Sequence, residues 1–338
     1  MSSKDTQPDG GIAKEDIFGS GEATARVRTP MVVRLRRMFD IWVRAPFLVA
    51  WTDWRTRIGG VGILLYILVG TLGVVVVPEP DIQVAPRYYP AFQDLSVPLG
   101  TDNLGRSVAH QLVHATPAML QMALAGVAFV MGLGTVTGLI AGYKGGIVDR
   151  LLMTLSDIFI VLPALPLIIV IAAIFTPRNP FLVGAILSIA GWAGLARQLR
   201  SQVLTIREED YIEAARSTGM STSTIVGQEI MPKLAPFILI SGASAAAGVI
   251  AASVALYFIG VLPFSTNNWG VMLHFAYSQG DAVSNPGRTG HWLAAPLVAL
   301  AGLTFALTLF SQGLDRVFNP RLRARHARTI TDESDQGP

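Results

Sequence analysis

Apolar residues are grouped into six long stretches that short polar segments separate. The stretches are 58–77, 117–143, 151–175, 181–196, 235–262 and 292–310. A helix rises about 1.5 Å per residue and the hydrocarbon core of a bilayer is about 30 Å thick, so about 20 apolar residues cross it. The pattern predicts an all-α integral membrane protein with six transmembrane helices. Arg197 and Arg200 follow the shortest stretch, and their long side chains are expected to reach the membrane surface from its end.

Each predicted span carries the chain from one side of the membrane to the other. The basic residues are concentrated in the segments on one of these two sides. Of the 26 Lys and Arg residues, 22 fall on the side of the two termini. Because cytoplasmic segments carry the basic excess, both termini and the segment 197–233 are predicted to be cytoplasmic. The segment 78–116 and the loop around Asn285 are predicted to be extracytoplasmic. The chain is therefore expected to be a multi-pass protein of the cell membrane.

Composition excludes several classes of protein. Hydrophobic residues make up 51% of the chain and charged residues only 14%, which argues against a soluble enzyme. With no cysteine, disulfide scaffolds, thiolate metal sites and cysteine nucleophiles are excluded. A net charge of +3 without a basic patch gives no nucleic-acid surface. The phosphate-binding loop, HExxH and GxSxG motifs are absent, so we predict no catalytic residue and no ATP hydrolysis by this chain alone.

Polar and basic segments flank the apolar core. Residues 1–30 have few large apolar side chains and are predicted to be a disordered cytoplasmic tail. Residues 31–57 interleave aromatic and basic side chains, which predicts an interfacial segment in contact with membrane lipid. The remaining divisions are a first transmembrane helix at 58–77, an extracytoplasmic segment at 78–116, a five-helix core at 117–312 and a cytoplasmic tail at 313–338.

The segment 197–233 has the pattern of two short helices joined by a tight turn. Residues up to Arg216 favour a helix, Gly219 suits the left-handed position that ends one, and Ser221 is a good cap for a second helix that stops at Pro232. Such a segment is either solvated filler or a docking surface. Ala214 and Ala215 leave room for a partner, and Glu213 and Arg216 offer charged contacts at its edge.

The same residues resemble a known motif. Glu213-Ala214-Ala215, then Gly219, and later Ile230-Met231-Pro232 are similar to the "EAA" loop of binding-protein-dependent ABC importer permeases. The resemblance implies that this loop inserts into a groove on a cytoplasmic ATPase subunit and transmits its closure to the membrane helices.

Three further motifs resemble the C-type permease subunit of the oligopeptide and dipeptide branch of that family. Gly100-Thr101-Asp102-Asn103-Leu104-Gly105-Arg106 precedes the second span, Gly142-Tyr143-Lys144-Gly145-Gly146 follows it, and Asn319-Pro320-Arg321 lies near the C-terminus. The resemblance extends from about Gly59 to Arg323 and implies the type I importer architecture, which is MetI-like.

The resemblance also implies the partners and the energy source. They are a homologous B-type permease, two ABC ATPase subunits that hold ATP and magnesium, and an extracytoplasmic solute-binding protein. Peptide is the implied cargo, while nickel, glutathione and an oligosaccharide stay open. The alternative function is a proton-coupled secondary transporter that uses Asp157 as its relay.

A few other polar residues invite functional hypotheses. Asp157 lies within the third span, where Arg150 is its expected partner, and Pro163 and Pro166 are expected to kink the same span. Ser241 and Ser244 belong to a run of small residues in the fifth span that either packs closely or lines a path.

On the predicted outer side, the expected role of Asp81, Asp94 and Asp102 is to seat a binding protein. His110 and His114 have a spacing compatible with a metal, but no third ligand lies nearby, so no metal site is predicted.

Overall fold

The computed structural model describes residues 51, 53–264 and 268–318, which form helices, their connections and one isolated β-bridge between Thr101 and Ser107. The predicted tail 1–30, most of the segment 31–57 and the Asn319-Pro320-Arg321 motif lie outside the described residues. We number the helices in chain order. They are α1 Trp54–Val76, α2 Val108–Lys144, α3 Gly146–Val161, α4 Ala164–Phe175, α5 Pro180–Leu187, α6 Gly191–Ile206, α7 Asp210–Ser217, α8 Thr222–Phe258, α9 Trp269–Ser278 and α10 Pro286–Phe318.

Four of these helices are long and apolar enough to cross a membrane: α1, α2, α8 and α10. The pairs α3 with α4 and α5 with α6 pass the same test as bent spans, with bends of 89° and 55°. The described residues thus hold up to six spans, one at each of the six predicted stretches. The all-α membrane fold is confirmed.

The bend between α3 and α4 has a local cause in the sequence. Leu162 precedes Pro163 and is extended, with ψ at 129°, because the proline ring disfavours helical backbone in the preceding residue. Pro163 then stands at the N-cap of α4. The predicted proline kink in this span is therefore present.

The fourth span differs from its predicted end. The apolar stretch stops at Ala196, but α6 continues as a regular helix to Ile206. Arg197 and Arg200 are thus part of the helix and do not follow its end. One face of α6 is buried and apolar, which lets the helix continue past its first basic residue.

Helix α2 is the centre of the bundle and packs closely on α6. Gly138 faces Ala196, and a Cβ atom at Gly138 would lie 2.7 Å from the Ala196 carbonyl oxygen. Gly142 faces Val203 in the same way. Small residues at this spacing let two helix backbones approach closely. The contact fixes α6, and with it the segment that leads into α7.

Candidate functional site

The helix–turn–helix segment comprises α7, the turn at residues 218–221 and the first turns of α8. Gly219 has φ of 79°, the left-handed conformation that glycine adopts at little cost. The Met220 N–H donates to the Ala215 carbonyl oxygen at 3.1 Å, which closes the end of α7. The Ser221 hydroxyl oxygen caps α8 by accepting from the Thr224 N–H at 3.3 Å. The predicted turn and cap are therefore present.

The predicted end of the second helix is wrong. Pro232 does not stop α8, which continues to Phe258. A π turn at Val226–Ile230 directly precedes this proline. A widened turn suits a residue that has no N–H to donate, because the regular hydrogen-bond ladder is already interrupted there. The segment is therefore continuous with a membrane-spanning helix.

The underside of the helix–turn–helix segment is apolar and packed. Ile212, Ile225 and Ile230 are buried, with at most 1% of each residue exposed. They share one apolar cluster with Leu199 and Val203 of α6. Since each buried aliphatic side chain contributes about 1.5–3 kcal/mol, the segment is held as a rigid body on the bundle.

The upper surface of α7 is open and carries charge. Glu213, Ala214 and Arg216 are exposed, whereas Ala215 is only half-exposed and packs against the apolar cluster. The Arg216 guanidinium lies over the Tyr143 ring, 5.3 Å from its centroid. Two shallow depressions of about 560 and 600 Å³ flank Arg216. We define the α7 face as the surface formed by Glu213, Ala214, Arg216 and Ser217.

Polar contacts tie this segment to its neighbours. The Arg207 guanidinium donates to the Gly142 carbonyl oxygen at 2.9 Å, joining the end of α6 to the end of α2. Lys233 pairs with Glu209 at 3.1 Å and lies 4.1 Å from the centroid of the Tyr211 ring. These groups are partly exposed, so they orient the segment more than they stabilise it.

At the other end of α2, the Gly100–Arg106 motif folds into a compact turn. Asp102 is fully buried, and its carboxylate accepts from the Leu104 and Arg106 N–H groups at 2.8 and 2.9 Å. Its other oxygen accepts from the Arg106 guanidinium at 2.7 Å and from the Gln111 amide at 3.1 Å. The motif thus braces the start of α2.

Two glycines and a threonine complete this turn. Gly100 and Gly105 each have φ of 74°. The Thr101 hydroxyl oxygen accepts from the Tyr89 N–H at 2.9 Å, while the Thr101 carbonyl oxygen contacts the His291 ring at 3.0 Å. All of these contacts are internal to the protein.

The expectation that Asp102 contacts a binding protein is wrong, because the carboxylate is enclosed. Asp81 and Asp94 are exposed. The Ser96 N–H donates to the Asp94 carboxylate at 2.8 Å, and this bond lowers the pKa of Asp94.

The intramembrane carboxylate has a different partner from the one expected. Asp157 pairs with Arg197 of α6 rather than with Arg150. Asp149 lies eight residues earlier on α3 and pairs with Arg200, which also belongs to α6. Pairing between helices was not visible in the sequence, where Arg150 is the near neighbour.

A groove of about 490 Å³ runs between α2, α6 and α8. Ser241 and Ser244 of α8 line it, opposite Gly191, Gly194 and Gln198 of α6. The Ser244 hydroxyl also lies 3.0 Å from the Ser311 hydroxyl of α10. Gly242, between the two serines, is buried against Met131. The small-residue run therefore both packs closely and lines a groove.

Sequence reasoning missed the exposed side of α6. Arg197, Gln198, Ser201 and Thr205 are exposed on this helix, opposite its buried apolar face. The signal was present as period-3.6 alternation of polar and apolar residues from 191 to 206, which the search for unbroken apolar runs ignores.

One histidine of the pair His110 and His114 has a structural contact. The His114 ring lies 2.9 Å from the Val77 carbonyl oxygen and joins α2 to the end of α1. Within residues 51, 53–264 and 268–318, no group of three His, Cys, Asp or Glu residues is placed to hold a metal ion.

Comparisons with known proteins show which family the chain is similar to. Residues 134–324 match the family described as "Binding-protein-dependent transport system inner membrane component". The oligopeptide transport system permease protein OppC of Lactococcus lactis subsp. cremoris (strain SK11) is 30% identical over 228 residues, covering 67% of this chain and 76% of that protein. The dipeptide transport system permease protein DppC of Bacillus subtilis (strain 168) is 28% identical over 233 residues, covering 66% and 68%.

Two further proteins are similar to this chain. The glutathione transport system permease protein GsiD of Pectobacterium atrosepticum is 31% identical over 230 residues, covering 67% of this chain and 73% of that protein. A chain of the MetNI methionine ABC transporter, solved in inward-facing conformations, has a TM-score of 0.49 and 18% identity, covering 62% of this chain and 96% of that chain.

The fold and the family match define a membrane subunit of an ABC transporter. The chain belongs to the family of binding-protein-dependent transport system inner membrane components, and it is a multi-pass protein of the cell membrane.

Proposed function

We propose that this chain is one permease subunit of an ATP-driven importer and forms half of the translocation path for peptides. Its partners are a homologous B-type permease, two ABC ATPases and an extracytoplasmic solute-binding protein. The α7 face carries this proposal, because it is an exposed charged surface held rigidly on buried isoleucines and continuous with α8. A solvated loop that only connects two membrane spans does not need buried isoleucines beneath it.

The proposed mechanism uses the segment as a rigid lever. The ATPases bind ATP and magnesium, and their closure pulls on the α7 face. Glu213 and Arg216 supply charged contacts, and the small Ala214 side chain lets the partner approach closely. Because Ile212 and Ile230 lock the segment to α6 and α8, the pull rotates the bundle and opens the path. Hydrolysis by the ATPases then resets it, and this chain itself is non-catalytic.

The orientation follows from the coupling role. The α7 face has to be cytoplasmic to meet ATPases, which agrees with the excess of Lys and Arg on that side. Both termini, with the tails 1–30 and 313–338, are then cytoplasmic as well. The segment 78–116 is extracytoplasmic, where Asp81 and Asp94 are exposed toward the binding protein.

The path is assigned to the groove between α6 and α8. Ser241, Ser244 and Gln198 give it polar groups, and Gly194 gives it width. A polar helix face exposed within a membrane span needs water or protein beside it rather than lipid. The homologous permease is proposed to supply the facing half.

Peptide is the proposed cargo because the relatives named OppC and DppC are permeases of oligopeptide and dipeptide transport systems. The glutathione permease GsiD is similarly related, and glutathione is itself a small peptide.

Glu213→Lys tests the coupling role. Reversing one exposed charge in the α7 face should weaken ATPase binding by about 2 kcal/mol, or roughly 30-fold, while the membrane fold stays intact. The measurement is the amount of ATPase subunit that co-purifies with the tagged chain, together with peptide uptake by the same cells.

Asp315→Lys is the matched control. Asp315 is also exposed and lies near the C-terminal end of α10, outside the α7 face. Normal ATPase recovery is expected for this variant. If Glu213→Lys also retains normal recovery and uptake, the role assigned to Glu213 is wrong.

A further inference from the structure

Helix α2 ends in a glycine-rich motif that contacts two arginines near α7. The Gly142 carbonyl oxygen accepts from Nη1 of Arg207 at 2.9 Å. Gly145 has φ of 68°, and a Cβ atom there would lie 3.3 Å from the same nitrogen. The Tyr143 ring lies under the Arg216 guanidinium, with 5.3 Å between Cζ of Arg216 and the ring centroid. The motif therefore joins the end of α2 to the α7 face.

The three helices that line the groove are each connected to the α7 face. Helix α8 follows α7 through a short turn, and Leu199 of α6 packs in one apolar cluster with Ile212 of α7. Helix α2 contributes Val130 both to this cluster and to the wall of the groove. Further along α2, Tyr143 packs against the same cluster and lies under Arg216. Tyr143 thus brings α2 into direct contact with the α7 face.

The ring contact orients Arg216 without occupying its hydrogen-bond donors. Within the part of the chain that the structure describes, no carboxylate pairs with the Arg216 guanidinium and no hydrogen bond holds it. A cation–π contact leaves the N–H donors of a guanidinium available for a carboxylate of a partner. Arg216 can therefore contact an ATPase through its donors while it stays on the Tyr143 ring.

We infer that Tyr143 is a positioning residue that makes α2 move together with the α7 face. It acts through Arg216. When the ATPases pull on the α7 face, Arg216 stays on the Tyr143 ring and carries the end of α2 with it. Packed side chains on rigid helices can transmit coupling in this way. Without the contact, α8 still moves with α7 through the turn, whereas α2 is left with the apolar cluster alone and follows less. This inference rests on the proposed function.

The absence of cysteine from the chain allows the movement of each helix to be measured separately. Gly132→Cys places a single thiol on α2, and Gly248→Cys places one on α8. Both positions are open, since a Cβ atom added to either glycine would meet nothing within 4 Å. The complete complex is examined in membrane vesicles with a maleimide. The labelling rate of this chain is measured with and without ATP and vanadate, which together hold the ATPases closed.

Two substitutions of Tyr143 separate the ring contact from the packing. Tyr143→Phe keeps the ring under Arg216, whereas Tyr143→Leu keeps an apolar side chain in the cluster and has no ring face. We expect ATP and vanadate to change the labelling rate of both thiols in the unmodified chain and in Tyr143→Phe. Tyr143→Leu should reduce the change at the α2 thiol about fivefold and leave the change at the α8 thiol as it was. A general loss of packing would not separate the two helices in this way.

Phe159→Leu is the matched control, because it also removes a half-buried ring. Phe159 of α3 packs on Trp192 of α6, with 5.3 Å between the ring centroids, in a different apolar cluster. Both thiols should respond normally in this variant. The recovery of ATPase subunits is measured in every sample and should be unchanged by Tyr143→Leu, since Tyr143 is not part of the α7 face.

The outcomes separate this inference from the proposed function. An α2 thiol that responds normally in Tyr143→Leu overturns the inference and leaves the coupling role of the α7 face standing. A response that falls equally at both thiols, or that Phe159→Leu lowers as much, also overturns it. If neither thiol responds in the unmodified complex, the lever itself is wrong, and the proposed function with it. If Tyr143→Leu fails to assemble, Tyr143→Met is compared with Tyr143→Phe instead, because methionine fills irregular gaps and has no ring.

Discussion

Gly219→Val is expected to abolish ATP-driven uptake while leaving the membrane bundle assembled. Gly219 has φ of 79°, and a Cβ atom there would meet nothing within 4 Å, so the substitution acts only through the backbone. A β-branched residue in the left-handed region is a genuine outlier, and the penalty is roughly 1–2 kcal/mol or more. The strain is relieved by changing the turn between α7 and α8, which moves the α7 face. The measurement is uptake, together with ATPase stimulation by loaded binding protein.

Gly219→Asn is the matched control, because asparagine enters the left-handed region several-fold more readily than other residues. It should retain most of the activity even though its side chain is as bulky as that of valine. Equal activity in the valine and asparagine variants would show that the turn conformation has no part in coupling.

Asp102→Asn is expected to have the largest effect on stability. The carboxylate is fully buried and accepts from two backbone N–H groups, from Arg106 and from Gln111. An amide nitrogen in place of one oxygen leaves Arg106 without its counter-charge. Breaking a buried pair in this way costs about 3–5 kcal/mol. We expect a clearly lower thermal midpoint in detergent and less folded protein in the membrane.

Asp94→Asn provides the comparison, because Asp94 is exposed in the same segment and accepts from the Ser96 N–H. Its midpoint should stay close to that of the unmodified chain. A midpoint equally unaffected by Asp102→Asn would mean that the Gly100–Arg106 turn does not brace α2.

The elements that sequence predicts well are those that local physics determines. Six apolar runs predict six spans because crossing a bilayer needs about 20 apolar residues, and the described residues hold four unbroken helices and two bent helix pairs at these runs. Gly219 and Ser221 predict a turn and a cap because few other residues suit those positions. Pro163 predicts the bend in the third span for the same reason.

The elements that sequence misses depend on neighbours distant in the chain. Asp157 pairs with Arg197, 40 residues away, and the sequence shows only that Arg150 is near. Proline ends many helices. At Pro232, however, α8 continues, because a π turn precedes the proline and Ile230 is packed in the apolar cluster. Asp102 looks like a surface carboxylate until the turn folds around it. The sequence does not predict the polar face of α6, because its basic residues are typical of the end of a span, whereas the helix continues to Ile206.

A pull-down of the tagged full chain in mild detergent tests the central claim most directly. Mass spectrometry identifies what co-purifies, and an ATPase assay is run on the eluate. The account predicts a second six-span permease and P-loop ATPases in the eluate, with hydrolysis that depends on them. A chain that purifies alone and still transports in liposomes under a proton gradient would contradict it and would favour the secondary transporter with Asp157 as its relay.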